Sequence, residues 1–310
     1  MGEGGGFGKT ILFGEHFVVY GLPAIASALG NTTTAKVEKA DVKGYELIDN
    51  RLESPGYKVA KKEEYEKLIE NVINFMGVKE GIRITLGGKL VAASGVGASA
   101  ACAASLARAI NDEFQMDWDN DKINAAAYEG EKGPHGTPSG IDNTAAVFGG
   151  LIRFKKNLEG GPNTIEKMQI KAPVEIVLAD SGKTSSTKEV VGDVRTLKEA
   201  NPTEIDPVFE EYEKLAEEAK QALLDYDLQK FGELMNKNHE LLQKITVSCE
   251  ELDAMVLTAR EAGAIGAKLT GTGRGGLMQA LTPGVELQEK VAKALEEKGF
   301  TVIRTKIGGA

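Results

Sequence analysis

At 310 residues the chain can hold one large domain or two of ordinary size, and 42% hydrophobic with 27% charged residues is the composition of a folded globular protein. A net charge of −9 argues against a nucleic-acid partner, which would require clustered Lys and Arg. No apolar run approaches the roughly 18 residues of a membrane span. The opening Met1-Gly-Glu-Gly-Gly-Gly-Phe-Gly-Lys lacks the basic start and apolar core of a signal peptide, and two cysteines make no disulfide framework. A cytoplasmic protein without membrane or nucleic-acid partners is expected.

Residues 10–20, Thr-Ile-Leu-Phe-Gly-Glu-His-Phe-Val-Val-Tyr, predict two strands joined at Gly14-Glu15-His16, with a turn at Gly21-Leu22-Pro23. Strands follow at 24–29 and 32–37. Tyr65, Leu68, Ile69, Val72, Ile73 and Met76 recur at helical spacing and predict a helix over 63–76. A strand at 82–86 precedes the most informative stretch, Val91-Ala92-Ala93-Ser94-Gly95-Val96-Gly97-Ala98-Ser99-Ala100-Ala101-Cys102. The glycines permit a tight turn, and the alanine-rich run to residue 110 favours helix. Unpaired amides at the start of such a helix attract an anion, and small residues let a phosphate reach the backbone. A triphosphate cradle is the expectation.

A helix is expected at 121–132, ending at Gly133-Pro134, then a short helical piece at 143–147 and a strand at 151–154. Beyond about residue 170 a strand at 175–179 leads into the polar run 180–188, readable as a solvated loop or as a lid over an anionic ligand. Helices near 204–225, 227–244 and 249–262 follow, then strands at 267–270 and 277–281, a helix at 286–298 and a strand at 301–305. The pattern implies an α+β chain in two halves, 1–170 and 171–310, with a cleft between them.

Several motifs bear on chemistry. Gly8-Lys9-Thr10 resembles the end of a P-loop, but Glu3 stands where that motif needs glycine, and the segment opens a β-rich run instead of a helix. Gly271-Thr272-Gly273-Arg274-Gly275-Gly276 fits G-x-G-x-x-G yet lies between two strands, outside the context of a dinucleotide site. It reads as a loop that approaches a ligand or as a structural turn. Glu131, His135, Ser139 and Asp142 fall among glycines and prolines, where core packing does not explain them. One carboxylate there can hold Mg²⁺ and the other can take a proton, with Ser99 and Glu131 a sufficient protein share of the Mg²⁺ shell. A polar loop capped by Asp and Ser is the alternative. His239 reads as a packing or surface residue, and Cys102 and Cys249 as inert small apolar residues.

Three ordered segments, Gly8-Lys9-Thr-Ile-Leu-Phe-Gly-Glu15-His16-Phe-Val-Val-Tyr-Gly21, Ser94-Gly-Val-Gly-Ala-Ser-Ala-Ala101 and Ala267-Lys-Leu-Thr-Gly-Thr-Gly-Arg-Gly-Gly276, resemble the GHMP kinase superfamily. Together with His135-Gly-Thr-Pro-Ser-Gly-Ile-Asp-Asn143, their details resemble its mevalonate kinase family. The chain departs from the usual motifs at Phe7, Val91, Val96, Ala98, Thr272 and Arg274. Ala98 removes one hydroxyl donor near the phosphates and leaves Ser99. The resemblance implies a two-domain fold with the active site in the cleft, ATP and Mg²⁺ as cofactors, and phosphorylation of the 5-hydroxyl of mevalonate. It implies Asp142 as catalytic base beside Lys9, with Ser99 and Glu131 as Mg²⁺ ligands. Gly95, Val96, Gly97, Ala98, Ser99 and Ala100 would line the nucleotide phosphates. Glu15, His16, Ser139, Gly271, Thr272 and Gly273 would face the substrate. A mevalonate 3-kinase, a phosphomevalonate kinase and a silent ligand sensor of the same fold stay open as alternatives, as does a homodimer.

Overall fold

The computed structural model describes every residue except Pro55, Ser94, Thr137, Pro162 and Ala310, so the Ser94 and Thr137 positions of the motifs lie outside the described residues. Chain contacts divide it into two compact units that interleave in sequence. One comprises residues 1–9 and 28–149, the other residues 10–27 and 150–309.

In the first unit, β4 (Ile82–Gly88) pairs antiparallel with residues 33–39 of β2 (Ala24–Lys39) and parallel with β3 (Tyr45–Asp49). Against them lie α2 (Lys62–Phe75), α3 (Ala98–Glu113) and α4 (Asn120–His135). The core is made of Leu68, Ile69 and Val72 with Ile82, Ile84, Leu86 and the alanines of α3. A four-residue α1 (Tyr57–Ala60) precedes α2, and α5 (Ile141–Phe148) closes the unit.

Strand β1 (Gly2–Phe13) explains the glycine-rich start of the chain. Alternate residues of a strand share a face, and Gly2, Gly4 and Gly6 all turn towards α3. A Cβ on Gly6 would stand 2.2 Å from the Ala101 carbonyl oxygen, and one on Gly4 2.3 Å from that of Ser105. Strand and helix therefore meet backbone to backbone, with alanines on one side and glycines on the other. Lys9 ends this run.

In the second unit, β5 (Leu151–Lys155) pairs with residues 24–27 of β2 and with β6 (Thr164–Met168). A second set of antiparallel strands runs β10 (Thr301–Ile307), β7 (Val174–Asp180), β9 (Leu277–Leu281), β8 (Gly266–Thr270). Both β8 and β9 are buried along their whole length. Around them lie α6 (Thr187–Ala200), α7 (Pro202–Leu224), α8 (Leu228–Lys244), α9 (Glu250–Glu261) and α10 (Val285–Glu297).

The structure corrects several expected elements. Residues 17–20 form a 3₁₀ turn, not a second strand: Gly14 and His16 take left-handed φ of 115° and 61°, and Phe17 drops into the core against Tyr212, with ring centroids 3.8 Å apart. The strands expected at 24–29 and 32–37 are one strand. Helix α4 runs through Gly133-Pro134 to His135, because Gly130 and Gly133 let it press against α2, where a Cβ on Gly133 would lie 2.7 Å from the Leu68 nitrogen. Pro134 falls in the last turn, where its missing N–H forfeits a single bond. The polar run 180–188 is an irregular, largely exposed segment over 181–186, and its end starts a helix, α6, that the sequence pattern did not predict, with Ser186 as N-cap.

Candidate active site

The turn Gly95-Val96-Gly97 delivers the chain into α3. Gly97 caps the helix at φ 68° without any side-chain cap, so the first-turn amides of Ala98, Ser99 and Ala100 have no helical partner. Val96, Ala98 and Ala100 bury their side chains and anchor the turn, so they can meet a ligand only through the backbone. The Lys9 amide donates to the Val96 carbonyl at 2.8 Å, and a Cβ on Gly97 would lie 3.1 Å from the Lys9 Cβ. Strand β1 thereby delivers Lys9 beside the helix start. Free amides, a helix dipole and an ammonium group meet there, as an anion requires.

Lys9 Nζ pairs with Asp142 Oδ1 at 2.9 Å; the lysine side chain is 8% exposed and the aspartate 33%. Asp142 occupies the first turn of α5, whose N-cap Gly140 takes φ 91°, and Ser139 Oγ accepts from the Ile141 amide at 3.3 Å. Opposite stands Glu131 on α4, its side chain 1% exposed. Burial, and then the nearby Asp142 charge, push the Glu131 carboxyl up to about 8, against the opposing pull of the Ser99 hydroxyl and Lys9. His135 Nε2 lies 3.6 Å from Glu131 Oε2, a meeting of residues four apart that requires the helix to continue past Gly133. Burial lowers the pKa of His135. A cavity of about 260 Å³ is lined by Glu131, His135, Pro138, Ser139, Gly140, Asp142 and Asn143.

These groups fit Mg²⁺. The buried Glu131 Oε1 has no hydrogen-bond partner in the structure, and the same carboxylate interacts with Ser99, giving two hard oxygen donors beside the helix start. Among the described residues no group of three or more His, Cys, Asp or Glu could hold a metal on its own.

Arg108, which sequence reasoning passed over, braces this unit. Its guanidinium donates to the Gly5 carbonyl of β1, to Asn120 Oδ1 at the start of α4 and to the Val147 carbonyl of α5. The elements bearing Lys9, Glu131 and Asp142 thus converge on one side chain of α3.

The remaining expected residues belong to the second unit, apart from Ser139. His16 Nε2 lies 2.7 Å from the Thr272 carbonyl oxygen, so this nitrogen carries a proton and donates. Burial lowers the His16 pKa, and its Nδ1 is buried without a partner. Gly271 and Gly273 take φ of 86° and 78°, and a Cβ on Gly273 would lie 2.2 Å from the Val247 carbonyl oxygen. Residues 183–187 lace onto this loop: Ser185 Oγ donates to the Gly273 carbonyl and the Thr187 and Thr272 hydroxyls are 2.7 Å apart. Glu15 is not open to solvent; it is held by Lys268, which stands out in the sequence only as the one charged residue of β8.

Comparison with known proteins shows the family of the chain. Residues 61–150 match the GHMP kinases N terminal domain and residues 202–301 the GHMP kinases C terminal domain. The chain is 34% identical to a mevalonate kinase of Pyrococcus abyssi, over 96% of this chain and 93% of that one, and 30% identical to one from Aeropyrum pernix, covering 93% and 91%. Its structure is similar to that of L. major mevalonate kinase in complex with R-mevalonate (TM-score 0.95, 36% identity, 100% and 97% coverage). That of the Methanococcus jannaschii mevalonate kinase follows, with TM-score 0.83, 25% identity and coverage of 99% and 98%.

Proposed function

Because the chain belongs to the GHMP kinase superfamily and within it to the mevalonate kinases, we propose that it transfers the γ-phosphoryl group of ATP to the 5-hydroxyl of mevalonate. The products are 5-phosphomevalonate and ADP. The observation that carries this reading is the Lys9–Asp142 pair beside the uncapped start of α3. The triphosphate rests on the amides of residues 95–100. Asp142 accepts the hydroxyl proton as the substrate oxygen bonds to the γ-phosphorus and the bond to the β-phosphate oxygen breaks. Lys9 balances charge that builds on the transferring group. Such transfers have loose transition states, so alignment and charge balance matter more than a strong base. Ser99 and Glu131 would hold Mg²⁺, which supplies further charge neutralisation on the phosphates when bound. Ser139 of the first unit, and His16 and the loop 271–273 of the second, are assigned to substrate contact, and Glu15 is buried behind His16.

An ADP-release assay with mevalonate, phosphomevalonate, galactose and homoserine as acceptors tests the proposal. Turnover with mevalonate alone is expected. Preferred turnover of another acceptor, or mevalonate binding without ADP release, refutes it.

A further inference from the structure

Within the second unit, residues 10–16 meet β8 and β9 through buried polar groups. Gln279 Nε2 donates to the Ile11 carbonyl at 2.7 Å, and Thr270 Oγ1 donates to the same oxygen at 2.9 Å. Lys268 Nζ donates to Glu15 Oε1 at 2.5 Å and to the Leu269 carbonyl at 2.7 Å, with both charged side chains fully buried. His16 donates to Thr272 one step further along. Lys268 and Thr270 are alternate residues of β8, so one face of that strand holds both Glu15 and the Ile11 carbonyl, which Gln279 of β9 also binds.

We propose that Lys268 and Glu15 are positioning residues whose buried ion pair ties the turn bearing His16 to the strand that delivers Thr272, and so sets substrate affinity. This rests on the mevalonate reading of the same site. Desolvating two charges is expensive, and apolar side chains of like volume commonly stabilise a fold as well or better. What an ion pair adds is direction. The turn needs it, because His16 is held at φ 61°, a conformation that persists in a non-glycine residue only when its surroundings impose it. With its side chain fully buried against Lys268, Glu15 acts through His16 instead of on the substrate itself.

A double-mutant cycle in the 310-residue chain tests this. Glu15→Ala and Lys268→Met should each raise KM for mevalonate at least about tenfold, with kcat and KM for ATP within about threefold of wild type. The double variant should be no worse than the poorer single one, because both remove the same tie. Effects that multiply, a Lys268→Met KM unchanged from wild type, or a loss of thermal stability with every KM unchanged overturn the proposal. Should Lys268→Met not fold, Glu15→Gln combined with Lys268→Gln keeps a donor and an acceptor without charge. A KM near wild type then supports the tie, and one as high as in Glu15→Ala overturns it. All ratios are read with whichever acceptor the wild type turns over, so a wrong substrate assignment shows in the wild type and a wrong role for the pair shows in the cycle.

Discussion

The contact between β1 and α3 leads to a sharp expectation for Gly6. Its substitution by alanine places a Cβ 2.2 Å from the Ala101 carbonyl oxygen, whereas ordinary van der Waals contact begins near 3.4 Å. Both partners are backbone, so neither can rotate away. The strand must lift from the helix by about 1 Å, and Lys9 lies three residues along the same strand. A displacement of about 1 Å in a reacting constellation costs on the order of 100-fold in rate. Gly6→Ala should therefore lower kcat by about that factor at saturating ATP and mevalonate. Gly5, one residue earlier, faces the other way, and a Cβ there meets nothing within 4 Å. Gly5→Ala should keep wild-type kcat and stay stable or gain up to about 1 kcal/mol from its less flexible unfolded chain. Steady-state kinetics below the unfolding midpoint of each variant measure both. Equal kcat values for Gly6→Ala, Gly5→Ala and wild type refute the idea that this contact sets the place of Lys9.

Ser99→Ala should shift the Mg²⁺ concentration for half-maximal rate upward by at least about tenfold, the lower end of what losing even an outer-shell partner costs a metal site; a titration with an unchanged midpoint removes Ser99 from the ligand set. His239 supplies a pH-dependent term in stability. Burial lowers its pKa from 6.5 to about 4 despite Asp253 Oδ1 at 3.0 Å from Nε2, and its Nδ1 accepts the Leu269 amide at 3.3 Å, which only a neutral ring can do. The groups facing it are Asp253, Arg260 and Lys268. A depressed histidine pKa contributes stability that is complete above pH 6.5 and is lost as pH falls towards 4, amounting to about 3 kcal/mol. Denaturant melts between pH 4 and 7 should show that slope in the wild type and a flatter one in His239→Asn; identical slopes refute the assignment.

The turn and helix start on which the proposed phosphate binding rests were legible because local rules govern them. Glycine conformation and alanine helix propensity marked the start of α3 within a residue, and the clustering of polar residues between glycines marked Glu131 and Asp142. Segments 17–20 and 133–135 misled, for opposite reasons. Phe17, Val18 and Val19 have strand-forming side chains, yet the left-handed turn at Gly14 and His16 and the stacking of Phe17 on Tyr212 decide the backbone there. Gly133-Pro134 signals a helix end, yet the packing of α4 on α2 carries the helix on to His135. Tertiary contact overrides propensity in both. Arg108 and Lys268 were silent because their roles depend on partners about 100 and 250 residues away in sequence. The alternating glycines of β1 were a readable signal, since glycine at every second position of a strand marks a face that must lie flush on something.

If Asp142 takes the proton of the 5-hydroxyl, removing its charge slows the transfer without moving the phosphate. Phosphorus NMR of reactions with ATP, Mg²⁺ and mevalonate reports both the rate and the position of the new phosphate ester. Wild type should give the 5-phosphate, and Asp142→Asn the same product slower by a factor of about 10² to 10⁴, the usual worth of a general base. A wild-type product bearing phosphate on the 3-hydroxyl, or an Asp142→Asn rate equal to wild type, contradicts it.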